Sequence, residues 1–128
     1  MVEKRRFVRV DVPIRVWYRL PGKKASKGEA LSKNISGGGI CILVSRRFPV
    51  ESLLHLTLRI PGTFEDINTE GKVLWIGKSA KDEGFPTGYE AGLRFTSISR
   101  IAKASIIHFV YESVKKRKEV RIPSSNPP

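Results

Sequence analysis

Apolar and polar residues alternate with period two along most of the stretch from Val12 to Phe95, and glycine or proline falls at the breaks. Successive side chains on an extended strand point to opposite faces, so this pattern fits half-buried strands and not helices. Val12, Ile14, Val16 and Tyr18 alternate with Pro13, Arg15, Trp17 and Arg19, a first strand closed by Pro21-Gly22. A lysine-rich stretch from Lys23 to Lys27 leads to a second strand over Glu29 to Lys33, followed by the turn signal Asn34-Ile35-Ser36-Gly37-Gly38-Gly39. Ile40 to Val44 is apolar on both faces, as in a central strand, and Arg46-Arg47-Phe48-Pro49 ends it. Leu54 to Ile60, Ile67 to Ile76 and Tyr89 to Phe95 supply three more strands, with a solvated, mobile loop expected over Gly77 to Gly88.

About six strands with no helix between them imply an all-β unit, an antiparallel barrel or sandwich. The period then changes. Ala102, Ile106, Phe109, Val110 and Val114 recur at helical spacing behind Ser99, an N-cap residue, which predicts a helix over Arg100 to Lys118. With 128 residues the chain suits one domain. Its expected parts are an N-terminal arginine segment (1–11), a β-barrel (12–98), a C-terminal helix (99–118) and a disordered tail (119–128).

Twenty-four Lys and Arg against 12 Asp and Glu leave a formal charge of +12, so anionic partners are favoured. The sign names a class only: nucleic acid, acidic lipid, a nucleotide or plain solubility would each satisfy it. No stretch approaches the roughly 18 apolar residues of a membrane span, and none of signal-peptide length follows Met1 to Arg6. The expectation is a cytoplasmic protein without membrane insertion. Cys41, the single cysteine, lies inside the apolar run and reads as a small core residue.

Two segments could carry chemistry. In Lys4-Arg5-Arg6-Phe7-Val8-Arg9, Arg5 and Arg9 fall on one side whether the segment is extended or helical. Planar guanidinium forks suit phosphate and the guanine Hoogsteen edge, although a solvated basic terminus would look the same. In the turn Asn34 to Gly39, glycines permit positive φ and close approach of a ligand to the backbone. Asn34 and Ser36 add short polar groups, which could equally bond their own backbone. Trp75 and Trp17 could stack on a base, but a strand tryptophan is commonly core. Arg94, between Leu93 and Phe95, should point away from the core and either lines a ligand face or is solvated.

Together the two segments resemble the PilZ domain, a bacterial cyclic di-GMP receptor family. Its Arg-x-x-x-Arg motif matches Arg5 and Arg9, with Arg6 adjacent, and its Asp/Asn-x-Ser-x-x-Gly motif matches Asn34, Ser36 and Gly39. Val73-Leu74-Trp75, Gly92-Leu93-Arg94-Phe95 and the helix look like the family's later elements, so the resemblance runs from Arg5 to about Lys118. It implies a six-stranded antiparallel barrel with the arginine segment lying across cyclic di-GMP. Arg5 and Arg9 would contact phosphates and guanine edges with Arg6 assisting, Asn34 and Ser36 would bond the base, and Gly39, beside Gly37 and Gly38, would keep the turn open. Trp75 and Arg94 complete the expected ligand set. With four residues before Arg5 and no output domain in the sequence, the implied protein is a stand-alone receptor that changes conformation and signals through a separate effector protein.

Enzyme readings lack inventory. His55 and His108 are isolated, Cys41 is the only thiol, and no spacing matches a metal site. Glu65-Asp66 and Asp82-Glu83 fall in loops as solvated charge, and the triple glycine lacks the Lys-Ser/Thr of a P-loop. No cofactor or metal is expected. The alternative is a basic barrel that binds nucleic acid with Phe7, Trp17 or Trp75 as stacking platforms. Against it, the cations are spread along the chain instead of forming one aromatic-rich stripe.

Overall fold

Seven antiparallel strands precede one helix in a computed structural model that describes residues 7–21, 27–79 and 88–125, with side chains through Lys116. The strands are β1 (Arg9–Val10), β2 (Arg15–Arg19), β3 (Lys27–Ser36), β4 (Gly39–Val44), β5 (Leu53–Arg59), β6 (Ile67–Lys78) and β7 (Tyr89–Ser97). Six of them form a ring in the order β3-β2-β5-β6-β7-β4, which the β3–β4 pairing closes. β1 adds to the edge of β3 beyond β2, pairing Arg9 with Ser36 and Val10 with Ile35. This is the six-stranded antiparallel barrel that the family resemblance implies, and it decides between the barrel and the sandwich that alternation left open.

The inward residues of the strands fill the barrel. Val16, Ile35, Ile42, Leu54, Leu56, Leu58 and Val73 have no exposed surface, and burying side chains of this kind contributes roughly 1.5–3 kcal/mol each. The strand expected from Val12 is β2, which starts at Arg15 because Pro13 has no N–H to give a ladder, and the short β1 precedes it inside the expected arginine segment. Ser32 bridges the gap instead. Its buried hydroxyl accepts from the Ile14 N–H (2.8 Å) and donates to the Val12 carbonyl (2.6 Å), so no polar atom there is stranded.

The helix α1 (Arg100–Ser125) begins where the sequence places it and continues beyond Lys118. Ser99 caps it, its hydroxyl accepting from the Ala102 N–H at 3.1 Å. Ile106 and Val110 are buried against the barrel core, and α1 packs on β1 and β3. The helix therefore sits at the barrel end where β1 and the β3–β4 turn meet. Most of the expected loop after Gly77, residues 80–87, lies outside the described residues.

Candidate functional site

The β3–β4 junction differs from the turn expected over Asn34 to Gly39. Asn34, Ile35 and Ser36 belong to β3, and only Gly37 and Gly38 turn. None of these glycines has positive φ; among described glycines only Gly62 does. Their requirement is space. A Cβ on Gly39 would overlap the Leu93 carbonyl oxygen of β7, and one on Gly38 would press the Phe7 ring at 3.1 Å. Gly39 thus keeps two strands in contact, where the sequence assigned it an open turn. The reason was hidden because the crowding partner lies far along the chain.

Two β-bulges decide what the outer wall carries. On β3 the register passes from Ser32↔Ile42 to Asn34↔Cys41, leaving Lys33 as an extra residue. The extra residue reverses the in–out phase: Ser32 and Ile35 point in, while Asn34 and Ser36 point out. On β6 the register passes from Val73↔Leu93 to Trp75↔Gly92, leaving Leu74 extra and turning Trp75 outward. Across four strands the result is one outer row, Asn34, Cys41, Gly92 and Trp75, as the β3–β4, β4–β7 and β6–β7 registers align them. The next outer row holds Gly39, Arg94 and Lys72. Arg9 stands opposite Ser36 at the turn end of the same wall.

Trp75 is 48% exposed, which corrects the common expectation of a core tryptophan. It lies over Gly92, where any Cβ would overlap its indole nitrogen. Cys41 is buried but faces the outer row and does not join the core cluster. Arg94 and Arg9 are exposed, and neither forms an ion pair with a described residue. The Asn34 carboxamide has no side-chain hydrogen bond to a described residue, whereas Ser36 is partly engaged. Its Oγ accepts from the Gly38 N–H at 3.2 Å and donates to the Gly39 carbonyl at 3.5 Å. One acceptor site on the hydroxyl stays open. Two carboxylates bordering this wall are matched: Lys33 Nζ meets Glu90 at 2.7 Å, and Lys72 Nζ meets Glu51 at 3.5 Å.

Arg5 and Arg6 lie outside the described residues. Their neighbour Phe7 is placed, with its ring against Gly37 and Gly38 and the Lys103 ammonium of α1 at 4.5 Å from its centroid. With Val10 buried as well, Arg9 stands between two apolar contacts, the Phe7 ring and the Val10 side chain. A cleft of about 450 Å³ opens between Phe7, Val8, Gly37 and the α1 residues Ile107 and Tyr111.

Lys72 and Glu51 were not foreseen from sequence. The four consecutive apolar residues Val73 to Ile76 were a usable signal, since a half-exposed strand alternates and a run of this kind implies a change of phase. Trp17 is half-buried, and the guanidinium groups of Arg15 and Arg59 lie over its ring at 5.0 and 4.7 Å. Among the described residues no group of three or more His, Cys, Asp or Glu is placed to hold a metal ion. No helix among them is long and apolar enough to cross a membrane.

The fold is a closed β-barrel module, one outer wall of which gathers the exposed Arg9 and Arg94 guanidiniums, the Asn34 carboxamide and the Trp75 indole, with no ion pair or side-chain hydrogen bond from the first three to a described residue. The model of the PilZ domain matches residues 3–112, and the chain belongs to the PilZ domain family. Its fold is similar to that of the Bacillus subtilis inhibitor of motility MotI/DgrA (24% identity, TM-score 0.75), covering 91% of this chain and 54% of that one. It is also similar to the PilZ domain of YcgR from Escherichia coli, solved with c-di-GMP (14% identity, TM-score 0.67, 91% and 98% covered). A third similar structure is the MrkH–c-di-GMP complex from K. pneumonia (17% identity, TM-score 0.73, 92% and 56% covered). The chain thus spans about half the length of MotI/DgrA and MrkH. A comparison with curated protein sequences gave no match.

Proposed function

We propose that this chain is a non-enzymatic receptor for cyclic di-GMP that signals through a partner protein. The observation that carries the reading is the shared outer row of Asn34 and Trp75, with Arg94 beside it and Arg9 at its turn end. Each group answers one part of a guanine dinucleotide. The indole offers a stacking face, a preference-free source of base affinity. The guanidinium forks match phosphate oxygens and the guanine Hoogsteen edge, and Asn34 with the open acceptor of Ser36 can bond the base edge. Similar barrels solved with c-di-GMP support the ligand choice.

Arg5, Arg6 and Arg9 share the segment anchored by Phe7 and Val10, so a ligand held by Arg9 would draw its neighbours over the wall. Phe7 touches α1 through Lys103, which makes the helix the route by which that movement reaches a partner. The nucleic-acid alternative is weaker on geometry. Trp17 lies beneath Arg15 and Arg59, whose charges are met by Glu29 and Asp66.

Thermal unfolding with and without cyclic di-GMP tests the reading. Ligand at about 100 times Kd should stabilise the native state by roughly 2.7 kcal/mol through mass action. No shift at millimolar ligand would sink it.

A further inference from the structure

Glu51 is the one described non-glycine residue in the left-handed region, with φ of 78°. A glutamate rarely takes that conformation, so its surroundings must hold it there. The Ser52 N–H donates to the Pro49 carbonyl at 3.1 Å, and the Ser52 hydroxyl donates to the same oxygen. The Glu51 N–H donates to the Val73 carbonyl at 2.7 Å, and the Val73 N–H donates to the Ser52 carbonyl at 2.9 Å. The turn is thereby fastened to β6 at the residue before the Leu74 bulge. Its product is a carboxylate 3.5 Å from Lys72 Nζ, and Lys72 is the register partner of Arg94.

That distance exceeds the 2.7–2.9 Å or so of a charge-assisted hydrogen bond, so the attraction is mainly Coulombic. The Lys72 side chain is 31% exposed and that of Glu51 63%, so water screens the pair and either partner can be exchanged. An ammonium on the arginine-bearing wall is within the field of any phosphate bound there, and a carboxylate at the same place opposes that phosphate.

We infer that Lys72 is a further phosphate-binding cation of this wall and that Glu51 is the counter-ion a bound phosphate displaces from it. Glu51 then sets a threshold. A dianionic ligand must outcompete a carboxylate for the ammonium, and a neutral ligand gains nothing from the exchange. The inference rests on the cyclic di-GMP reading and adds a residue pair that neither arginine nor turn motif contains.

Titration calorimetry with cyclic di-GMP on K72M, E51Q and the double variant tests it, with R9K and N34A alongside. Gln keeps the shape of Glu51 and removes only its charge. K72M should weaken binding roughly five- to tenfold, the scale of one net hydrogen bond in a half-exposed, solvent-screened setting. E51Q should tighten it about two- to fivefold, the scale of one exposed ion pair. In the K72M background the E51Q gain should shrink to less than about half of that, since the two residues act on one another. K72M binding like wild type, or E51Q binding no more tightly, overturns the inference. If R9K and N34A lose binding while K72M keeps it, the ligand reading survives and this pair does not; if wild type binds no cyclic di-GMP, both fall.

Discussion

The Trp75 indole lies directly on Gly92, with no room between them for a single methyl group. The glycine is buried and the indole half exposed, so the ring is supported from below and open above. Gly92→Ala should therefore tilt the indole away and leave the barrel folded, because an exposed side chain can yield where a backbone cannot. Trp75 fluorescence should shift, and cyclic di-GMP affinity should fall by about tenfold, within the 1–3 kcal/mol worth of one stacked base. Unchanged affinity with a shifted emission would remove Trp75 from the ligand site.

Gly39→Ala should behave differently. Its Cβ would meet the Leu93 carbonyl oxygen, so β4 and β7 must separate. The expected loss is about 1–3 kcal/mol, or a melting midpoint lower by several degrees. Gly38→Ala meets only the movable Phe7 ring and should cost clearly less. Equal midpoints for the two variants in calorimetric scans would contradict the close-approach account.

Asn34→Ala removes no described side-chain hydrogen bond, so stability should stay within about 0.5 kcal/mol. Binding of cyclic di-GMP should nevertheless weaken at least about tenfold, roughly 1.4 kcal/mol. Arg9→Lys should do the same while retaining charge, because the ammonium lacks the planar fork. Ser36→Ala also strips the Gly38 N–H of its acceptor, so about 1 kcal/mol of stability should go with the affinity. Isothermal titration separates these outcomes from urea melts of the same variants.

Arg59 makes two 3.1 Å bonds to the two carboxylate oxygens of Asp66. These bonds, followed by the Coulombic attraction, hold the Asp66 carboxyl below its ordinary value. The native group therefore protonates at lower pH than the unfolded one. Its contribution to stability is present above the unfolded-state value and fades as pH falls through the lower native value. Carboxyl NMR titration should give a midpoint for Asp66 below that of a free aspartate, and Arg59→Gln should return it upward.

Phe7→Ala removes a half-buried ring from the β3–β4 turn and from beneath Lys103. The core beneath is untouched, so affinity should suffer more than stability. Amide exchange at Val8 and Arg9 should quicken in this variant. Unaltered exchange would mean that Val10 alone anchors the segment.

The all-β unit, the six strands of its ring and the capped helix were legible because alternation and a change of period report burial directly, while the choice of barrel over sandwich came from the family resemblance. Arg9, Asn34, Ser36, Arg94 and Trp75 could also be named from sequence, and alternation turned Arg94 away from the core, but the face of Asn34, Ser36 and Trp75 was not legible. That depends on the extra residues Lys33 and Leu74; the apolar run Val73 to Ile76 signals a change of phase without singling out Leu74, and nothing local marks Lys33. The glycine turn was read as serving positive φ and a ligand's approach, whereas the room it provides is for Leu93 and Phe7, which become neighbours only after folding. Glu51 was invisible for a related reason: its conformation is imposed by bonds to Val73 and by the Pro49–Ser52 turn, and a glutamate does not advertise it.

The bulges at Lys33 and Leu74 also make the outer wall a matter of counting. Substitution at either position leaves the parity of β3 or β6 intact, whatever it does to local contacts such as the Lys33–Glu90 pair. Removing one residue from either strand would swap inside for outside at every position between the deletion and the strand end. Asn34 and Ser36, or Trp75, would then be traded for their apolar neighbours in one step. Insertions and deletions of a single residue, more than point changes, are therefore the events by which a barrel of this kind gains or forfeits its reading surface while keeping the same composition.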